Sequence, residues 1–401
     1  MWKKDVDIHE VKEIRVRTNV YFGVGAIVKI AEIAARLKAT GVEKVVVVSG
    51  RGAYKSTGAW DYVEKALKDN AIGYINYDKV TPNPTTHQVD DAARLAKDFG
   101  ATGVIAIGGG SPIDAGKSVA ILLKNPGRTC TELYEGTFVP TAAAPIVAIN
   151  LTHGTGTEAN RFAVVTIPEK DFKPAIAYDC IYPFASIDDP GLMTGLSPEQ
   201  TLYVSIDAVN HVVEAATAKT ASPFSISLAK EVIRLVVAFL PKAIENPKDL
   251  EARYYLAYAS LLGGVSFDNG LLHYTHALEH PLSAVKHDLS HGLGLAMLLP
   301  AVVKHIFAER QNTLLDIFAP ILTSPNPDAD GLAKQVETWL FGVGVKSKLQ
   351  DEGFTSADVP KLVELAFTTP SLGLLLSLAP NKSTREIVEA IYRDSLVPYN
   401  K

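Results

Sequence analysis

Histidine is concentrated in one short segment of the chain, HYTHALEHPLSAVKHDLSHG, which spans residues 273–292. Five of the ten histidines lie in this segment, although a solvent-exposed surface does not need imidazole at such density. Neutral imidazole binds divalent metals, and it exchanges protons near neutral pH. The segment therefore predicts a metal site or a proton relay. A helix that merely happens to be rich in histidine is the alternative.

Helical spacing places some of these histidines on a common face. His276 and His280 are four residues apart, as are Asp207 and His211 in the apolar helical segment SIDAVNHVVEA. An isolated Asp–His pair at this spacing is usually a structural hydrogen bond. His291 stands at the start of another helical stretch. Three or four of these side chains would form a divalent-metal site, whose imidazoles and single carboxylate suit Fe²⁺ or Zn²⁺.

Two histidines of the segment are predicted to lie outside such a site. His273 points away from the helical face that carries the other candidates, and His287 stands between two charged residues in a solvated pattern. Pro281 predicts that the helix bends or restarts there, because proline cannot donate a backbone hydrogen bond.

A glycine-rich turn, in GVIAIGGGSPIDAGK (103–117), has the pattern of an anion-binding loop. It joins a strand to a helix that opens at Ser111. Consecutive glycines let backbone N–H groups approach an anion closely, and the helix N-terminus adds partial positive charge. This is pyrophosphate-binding chemistry, although the spacing is neither G-x-G-x-x-G nor a P-loop. A tight turn without a ligand is the alternative.

The residues after the first buried strand bear on cofactor choice. NAD-binding enzymes often carry a carboxylate there, which bonds the ribose 2′-hydroxyl. This chain has Gly50 and Arg51 instead, and the pair predicts room and charge for the 2′-phosphate of NADP. Arg51 as a solvated loop residue is the alternative.

These residues must be positioned by two kinds of architecture. Apolar runs such as KVVVVSG (44–50) and APIVAIN (144–150) alternate with amphipathic helices through the first part of the chain. That alternation predicts an α/β domain with a parallel sheet over residues 1–190. Helical periodicity then dominates, which predicts an all-helical domain over residues 191–401.

Composition limits the class of protein. The chain has 401 residues, a net charge of −5 and two cysteines, so no basic surface for nucleic acid and no disulfide framework are expected. The charged N-terminus is not a signal peptide, and no run approaches the roughly 18 apolar residues of a membrane span. We predict a cytoplasmic protein that binds neither nucleic acid nor membrane.

Four motifs in order, GGGSPIDAGK, GTGTEANRF, DAVNHVVEA and HALEHPLSAVKHDLSHG, resemble those of the iron-containing (group III) alcohol dehydrogenases. The resemblance covers roughly residues 10 to 395 and implies a dinucleotide-binding α/β domain, an all-helical metal domain and a homo-oligomer of at least two subunits. The metal ligands it implies are Asp207, His211, His276 and His291. The cofactor contacts it implies are Gly109, Gly110, Ser111, Asp114, Thr152, Thr155 and Lys173.

The resemblance also assigns two further residues. His280 would stand beside the metal, near the nicotinamide, in a proton relay, and Phe267 would line the substrate pocket. The sequence departs from the family at one loop, where the usual PTTAGTGSE is replaced by NLTHGTGTE. Leu151 removes one cofactor threonine, and His153 is expected to introduce a titratable group near the cofactor.

The predicted reaction is hydride transfer between a metal-coordinated alkoxide and C4 of the nicotinamide, which oxidises alcohols and reduces aldehydes or ketones. NADP is the expected cofactor, with NAD as the alternative, and Fe²⁺ the expected metal, with Zn²⁺ as the alternative. Two other functions stay open. One is a zinc enzyme resembling glycerol dehydrogenase or dehydroquinate synthase, and the other is a nucleotide- and metal-binding protein without turnover.

Overall fold

The computed structural model describes residues 2–399, and these form two compact units. The α/β unit contains Val16–Leu196 and Pro247–Leu261, whereas the helical unit contains residues 2–15, Ser197–Asn246 and residues 262–399. The predicted division at residue 190 treats each domain as one continuous segment. The structure differs from this division, because the N-terminal segment packs within the helical unit. There Asp5 accepts hydrogen bonds from Asn312 and Thr313.

The α/β unit is built on a six-stranded sheet whose neighbouring strands are all parallel, in the order β1-β8-β5-β4-β2-β3. A short antiparallel pair, β6 and β7, lies apart from it. The strands are Val20–Phe22 (β1), Lys44–Ser49 (β2), Gly73–Tyr77 (β3), Gly103–Gly108 (β4), Ile146–Asn150 (β5), Phe162–Val164 (β6), Ala175–Ala177 (β7) and Ala185–Asp188 (β8).

Helices cover both faces of this sheet, as its continuously apolar strands predict. Along β2, Val45 and Val47 belong to one apolar core with residues of α1 and α3, while Val46 and Val48 belong to another with residues of α4, α5 and α6. The helices are Ile30–Ala39 (α1), Ala53–Ser56 (α2), Ala59–Asp69 (α3), Thr86–Phe99 (α4), Gly110–Lys124 (α5) and Cys130–Tyr134 (α6).

From Ser197 onward the described chain forms helices and their connections. They are Pro198–Thr217 (α7), Pro223–Glu245 (α8), Leu250–Gly270 (α9), Tyr274–Val285 (α10), His291–Ile317 (α11), Ala329–Val343 (α12), Val359–Thr368 (α13), Leu372–Leu378 (α14) and Arg385–Asp394 (α15). This arrangement confirms the predicted fold class. The predicted restart at Pro281 does not occur, since α10 continues through that proline to Val285.

One helix of the described chain, α11, is long and apolar enough to cross a membrane. In α11, 78% of the most apolar window is buried inside the protein, which is typical of a core helix. The helices α13 and α14 reach that length and apolarity only when they are counted as one span, and the pair is bent by 94°.

Candidate functional site

Three helices of the helical unit bring one aspartate and three histidines together. Helix α7 carries Asp207 and His211 one turn apart, α10 carries His276, and α11 begins at His291. The Nε2 atoms of His211 and His276 each lie 3.5 Å from Asp207 Oδ1. The Nε2 atom of His291 lies 3.9 Å from the same oxygen. The four side chains named in the sequence are therefore neighbours in space.

The atoms at the centre of this group lack the partners that buried polar atoms need. Asp207 Oδ1 and His276 Nε2 are buried, and neither has a hydrogen-bond partner within residues 2–399. A buried polar atom that is left unpaired costs free energy. A divalent cation among these atoms would satisfy them, and a carboxylate with imidazoles is a donor set suited to iron or zinc. The residues present fit such an ion.

Two buried glutamates hold the outer nitrogens of these histidines, and neither was predicted. Glu214 Oε2 contacts His276 Nδ1, and Glu279 Oε2 contacts His291 Nδ1. A histidine that donates Nδ1–H to a carboxylate keeps its lone pair on Nε2, which is the nitrogen that faces Asp207 in both residues. Glu214 also accepts from the backbone N–H groups of residues 273, 275 and 276, so it fixes the first turn of α10.

The electrostatics of the group favour positive charge at its centre. Burial lowers the pKa of His276, but the Glu214 carboxylate outweighs burial and raises this pKa to about 9. Burial raises the pKa of Asp207, but the neighbouring His211 and the other histidines outweigh it and hold that pKa well below its usual range. A carboxylate that stays ionised while buried is a strong cation ligand.

His280 and Phe267 border the same group. The His280 ring is buried, with its centroid 5.8 Å from the His291 ring and 6.4 Å from the His276 ring. Phe267, on α9, stacks on His211 with ring centroids 4.5 Å apart. His280 thus lies beside the four candidate ligands, and Phe267 places an apolar surface against one of them.

The two histidines predicted to be bystanders lie outside the group. His273 is the N-cap of α10, where its Nδ1 accepts from the backbone N–H of Tyr274, and its Nε2 lies 2.8 Å from Thr217 Oγ1. It is fully buried, and both of its ring nitrogens have partners within the protein. His287 is exposed.

Glycines at the helix contacts let these helices approach closely. A Cβ at Gly292 would lie 2.0 Å from the Tyr203 carbonyl oxygen on α7, and a Cβ at Gly294 would lie 2.7 Å from Glu279 Cγ on α10. Larger residues at either position cannot be accommodated without a shift of the backbone or of the glutamate. The glycines that follow His291 therefore help to set its distance from α7 and α10.

In the α/β unit, the glycine-rich turn fits closely against the loop after β5. A Cβ at Gly109 would lie 2.8 Å from Thr152 Cγ2, and a Cβ at Gly110 would lie 2.5 Å from Thr155 Cγ2. These glycines thus make room for two threonines. The structure brings together the residues of the two loops that were predicted to hold the cofactor, including Ser111, which follows Gly110 in the first turn of α5.

Asp114 and Lys173 lie near this turn. Both carboxylate oxygens of Asp114 accept hydrogen bonds from the protein, one from Thr157 Oγ1 and one from the backbone N–H of Val164. Burial raises the pKa of Asp114 to about 6, against the opposing charges of Lys117 and the buried Lys173. The geometry of Asp114 is that of a residue that positions the loop.

Gly50 and Arg51 follow β2 at the carboxyl edge of the sheet. Gly50 is half-buried, and a Cβ there would lie 3.3 Å from the Val80 carbonyl oxygen, which is a tight contact. Arg51 is exposed. Neither position carries a carboxylate.

The departures from the family pattern after β5 are buried. Asn150 Nδ2 donates to Asp188 Oδ1, and Asn150 Oδ1 accepts from the Thr152 backbone N–H. His153 is fully buried, and its Nε2 lies 2.8 Å from Nη1 of the fully buried Arg253. Burial and the Arg253 charge lower the pKa of His153 to about 3. The expectation of a group that titrates near the cofactor is therefore wrong, because this imidazole stays neutral.

Comparisons with known proteins agree on one family. The model of the iron-containing alcohol dehydrogenases matches residues 17–190, and the model of their C-terminal region matches residues 201–396. A long-chain primary alcohol dehydrogenase of Thermoanaerobacter ethanolicus is 54% identical over 398 residues, covering 98% of this chain and 100% of the relative.

Two further relatives differ in the cofactor that their names state. An NADPH-dependent butanol dehydrogenase of Clostridium saccharobutylicum is 33% identical over 288 residues, covering 71% of this chain and 72% of the relative. The structure of an NADH-dependent butanol dehydrogenase of Thermotoga maritima superposes with a TM-score of 0.87 at 29% identity, covering 96% of this chain and 98% of that one.

Proposed function

The chain belongs to the iron-containing alcohol dehydrogenase family, whose members interconvert alcohols and aldehydes, and we propose that it does so with one divalent metal and NADP. The proposed metal ligands are Asp207, His211, His276 and His291. One observation carries this proposal, the convergence of three imidazole Nε2 atoms on a buried Asp207 oxygen that has no hydrogen-bond partner in the described chain.

In this proposal the two bound groups supply the electronic steps. When bound, Fe²⁺ (or Zn²⁺) draws electron density from the substrate oxygen, and the nicotinamide exchanges a hydride with the substrate carbon. The protein orients the groups that bind them. The Glu214 and Glu279 carboxylates accept the Nδ1 protons of His276 and His291, so the Nε2 lone pairs of both imidazoles would be directed to the metal once it is bound.

Two further residues of the site are assigned to proton transfer and to substrate contact. His280 carries the alcohol proton to solvent and returns it in the reverse direction, which fits a buried imidazole next to the ligands. Phe267 stacks on His211 and offers an apolar surface to the substrate carbon chain. The 54% identical relative is named for long-chain primary alcohols, and we infer the same substrate class here.

The dinucleotide is assigned to the α/β unit. Gly109, Gly110 and Ser111 would donate their backbone N–H groups to the pyrophosphate, because α5 begins there and a helix N-terminus favours an anion. Arg51 is exposed after β2, and neither position 50 nor position 51 carries a carboxylate that would oppose a 2′-phosphate. A charge-assisted contact of roughly 1.5–3 kcal/mol would favour NADPH by about one to two powers of ten.

One set of assays tests this function. Protein purified without oxygen is analysed for metal, then assayed with primary alcohols and aldehydes of increasing chain length, with each cofactor. We expect stoichiometric iron, turnover that favours longer chains, and a higher kcat/KM for NADPH that falls in Arg51→Ala. A clear NADH preference would refute the cofactor assignment, and fully metal-loaded protein without turnover on the whole panel would refute the enzyme.

We also propose a cytoplasmic homo-oligomer. Ile8, Val11 and Ile14 lie close together in the sequence and expose 85%, 95% and 58% of their surface. Exposed apolar side chains are typical of a surface that a second subunit covers. Light scattering after size-exclusion chromatography is expected to give at least a dimer. Replacing the three residues by Ser is expected to shift the mass toward that of one chain, and a monomeric parent protein would contradict the proposal.

A further inference from the structure

An arginine of α9 is the largest fully buried side chain in the described chain. Arg253 has no exposed surface, and it lies in the part of α9 that belongs to the α/β unit. Its Nε donates to the Pro247 carbonyl oxygen at 2.9 Å, and its Nη2 donates to the Leu196 carbonyl oxygen at 3.3 Å. Burying a guanidinium is costly unless its donors are satisfied, so each of these acceptors matters.

A further acceptor comes from the loop after β5. Arg253 Nη1 lies 2.8 Å from His153 Nε2, and neither residue is exposed to solvent. Arginine can only donate, so His153 must present a lone pair on Nε2 and carry its proton on Nδ1. Burial and the positive charge of Arg253 both keep the imidazole in this neutral form.

His153 lies between the two threonines that contact the glycine-rich turn. Thr152, directly before it, approaches the Gly109 position, and Thr155, two residues after it, approaches the Gly110 position. On the other side, Asn150 Oδ1 accepts from the Thr152 backbone N–H. The conformation of the loop at His153 therefore determines where both threonines meet the turn.

We propose that the Arg253–His153 hydrogen bond is a positioning contact for dinucleotide binding, which fixes residues 151–156 against the glycine-rich turn. This inference rests on the proposed function, because it requires the turn and the two threonines to hold the dinucleotide. His153 is a positioning residue and touches no reacting atom.

The test compares three variants, His153→Ala, His153→Gln and His153→Asn. The amide oxygen of Gln can reach the position of Nε2, whereas the shorter side chain of Asn places its oxygen near Nδ1 and cannot meet Arg253. Metal-loaded protein is titrated with NADPH by calorimetry, and KM, kcat, bound metal and Tm are measured for each variant. His287→Ala, which changes an exposed histidine, is the control.

We expect His153→Ala to raise the NADPH Kd and KM by about tenfold, the effect of leaving a buried charged donor unpaired. Its kcat is expected to stay within about twofold and its bound metal to be unchanged. His153→Asn should behave like His153→Ala, while His153→Gln restores the NADPH Kd to within about threefold. The control should match the parent protein.

Other outcomes separate this proposal from its premise. Parent protein that binds no NADPH and no NADH refutes the proposed function itself. If the parent protein binds NADPH and the variants have a lower Tm but an unchanged NADPH Kd, the contact is purely structural. That result overturns the positioning role. If His153→Ala does not fold, the Gln and Asn variants decide, and an equal NADPH Kd in those two overturns the proposal.

Discussion

At the scale of single residues, the candidate metal site depends on side chains that would not touch the metal. Glu214 is fully buried and contacts Nδ1 of His276, so its charge both orients the imidazole and raises the electron density on Nε2. In Glu214→Gln the amide oxygen can still accept a hydrogen bond, but the negative charge is gone.

We therefore expect Glu214→Gln to weaken metal binding by about ten- to a hundredfold. Competition with a chelator, followed by metal analysis of the protein, measures this change. Glu231→Gln is the control, because Glu231 pairs with Arg234 on the surface of the same unit. Unchanged metal affinity in Glu214→Gln would show that His276 is not a ligand held by this carboxylate.

The histidines of the 273–292 segment should separate into three behaviours. His276→Ala and His291→Ala are expected to abolish activity and lower bound metal. His280→Ala is expected to keep most of the metal but to lose rate with a changed pH profile, because a proton relay is removed. His273→Ala is expected to keep metal and activity, at a cost of about 1 kcal/mol in stability for the lost N-cap.

Metal analysis beside pH–rate profiles distinguishes these behaviours. Normal metal content and turnover in His291→Ala would refute the ligand assignment. A loss of metal in His280→Ala as complete as in His276→Ala would make His280 a ligand.

Two buried acids of the α/β unit make its stability depend on pH. Glu158 and Asp188 are both fully buried, and neither Glu158 oxygen has a hydrogen-bond partner in the described chain. A proton shared between the two groups satisfies both. Burial raises the pKa of Asp188 to about 7 and raises that of Glu158 well above its usual range, although Lys117 opposes the shift in Glu158.

Both acids hold a proton more tightly in the folded chain than in the unfolded one. Their stabilising effect is therefore complete below the unfolded pKa of roughly 4, and it is lost as the pH rises through about 7. We expect Tm to fall between about pH 5 and pH 8, and to fall less in Asp188→Asn. Asp179→Asn, at an exposed acid with a lowered pKa, should keep the parent slope. If Tm changes with pH equally in Asp188→Asn and in the parent protein, the shared proton is excluded.

The sequence contains much of this residue-level detail but not all of it. Spacing of four residues pairs Asp207 with His211, and Glu214 follows three residues later on the same face, so the same rule could have found it. The contact of Glu279 with His291 depends on where α11 starts after the α10 loop. The partner of His153 lies one hundred residues further on, at Arg253. Contacts of this kind depend on tertiary packing, which no local pattern encodes.

At the scale of elements, the approach of α11 to α7 controls the site, because His291 is the first residue of α11. Gly292→Ala would place a Cβ 2.0 Å from the Tyr203 carbonyl oxygen, so α11 must move away from α7. We expect a loss of stability of about 1–3 kcal/mol together with weaker metal binding, since His291 moves with the helix.

Gly342→Ala is a matched control for this change. Gly342 lies in α12, where an added Cβ meets nothing within 4 Å. Alanine there is expected to stabilise the protein by roughly 0.5–1 kcal/mol through its helix propensity. Thermal unfolding and chelator competition on both variants measure the difference. Metal affinity that is equal in the two variants would show that the α11–α7 contact does not position His291.

The elements themselves were largely predictable where their apolar patterns are long. The strands β2, β4 and β5 follow continuous apolar runs, and α4 ends at Phe99 before the C-cap Gly100, whose φ of 78° suits glycine. β1 and β8 span only three and four residues. Strands of this length are too short for a periodic pattern of apolar residues to be recognised. Their pairing in the sheet is set by the fold around them.

At the scale of the whole molecule, the two units hold different ligands. All four proposed metal ligands lie in the helical unit, whereas the proposed dinucleotide contacts lie in the α/β unit. A ligand stabilises the folded form that binds it, by about 2.7 kcal/mol when its concentration is one hundred times its Kd. Each ligand should therefore suppress local opening mainly in its own unit.

Hydrogen exchange measured by mass spectrometry can resolve these effects along the chain. Adding Fe²⁺ to metal-free protein without oxygen is expected to slow exchange in α7, α10 and the first turns of α11. Adding NADPH alone is expected to slow exchange in the glycine-rich turn and in residues 151–156. Asp207→Ala should abolish the first effect and keep the second, because it removes only the carboxylate at which the imidazoles converge. Protection by Fe²⁺ that survives in Asp207→Ala would place the metal elsewhere in the chain.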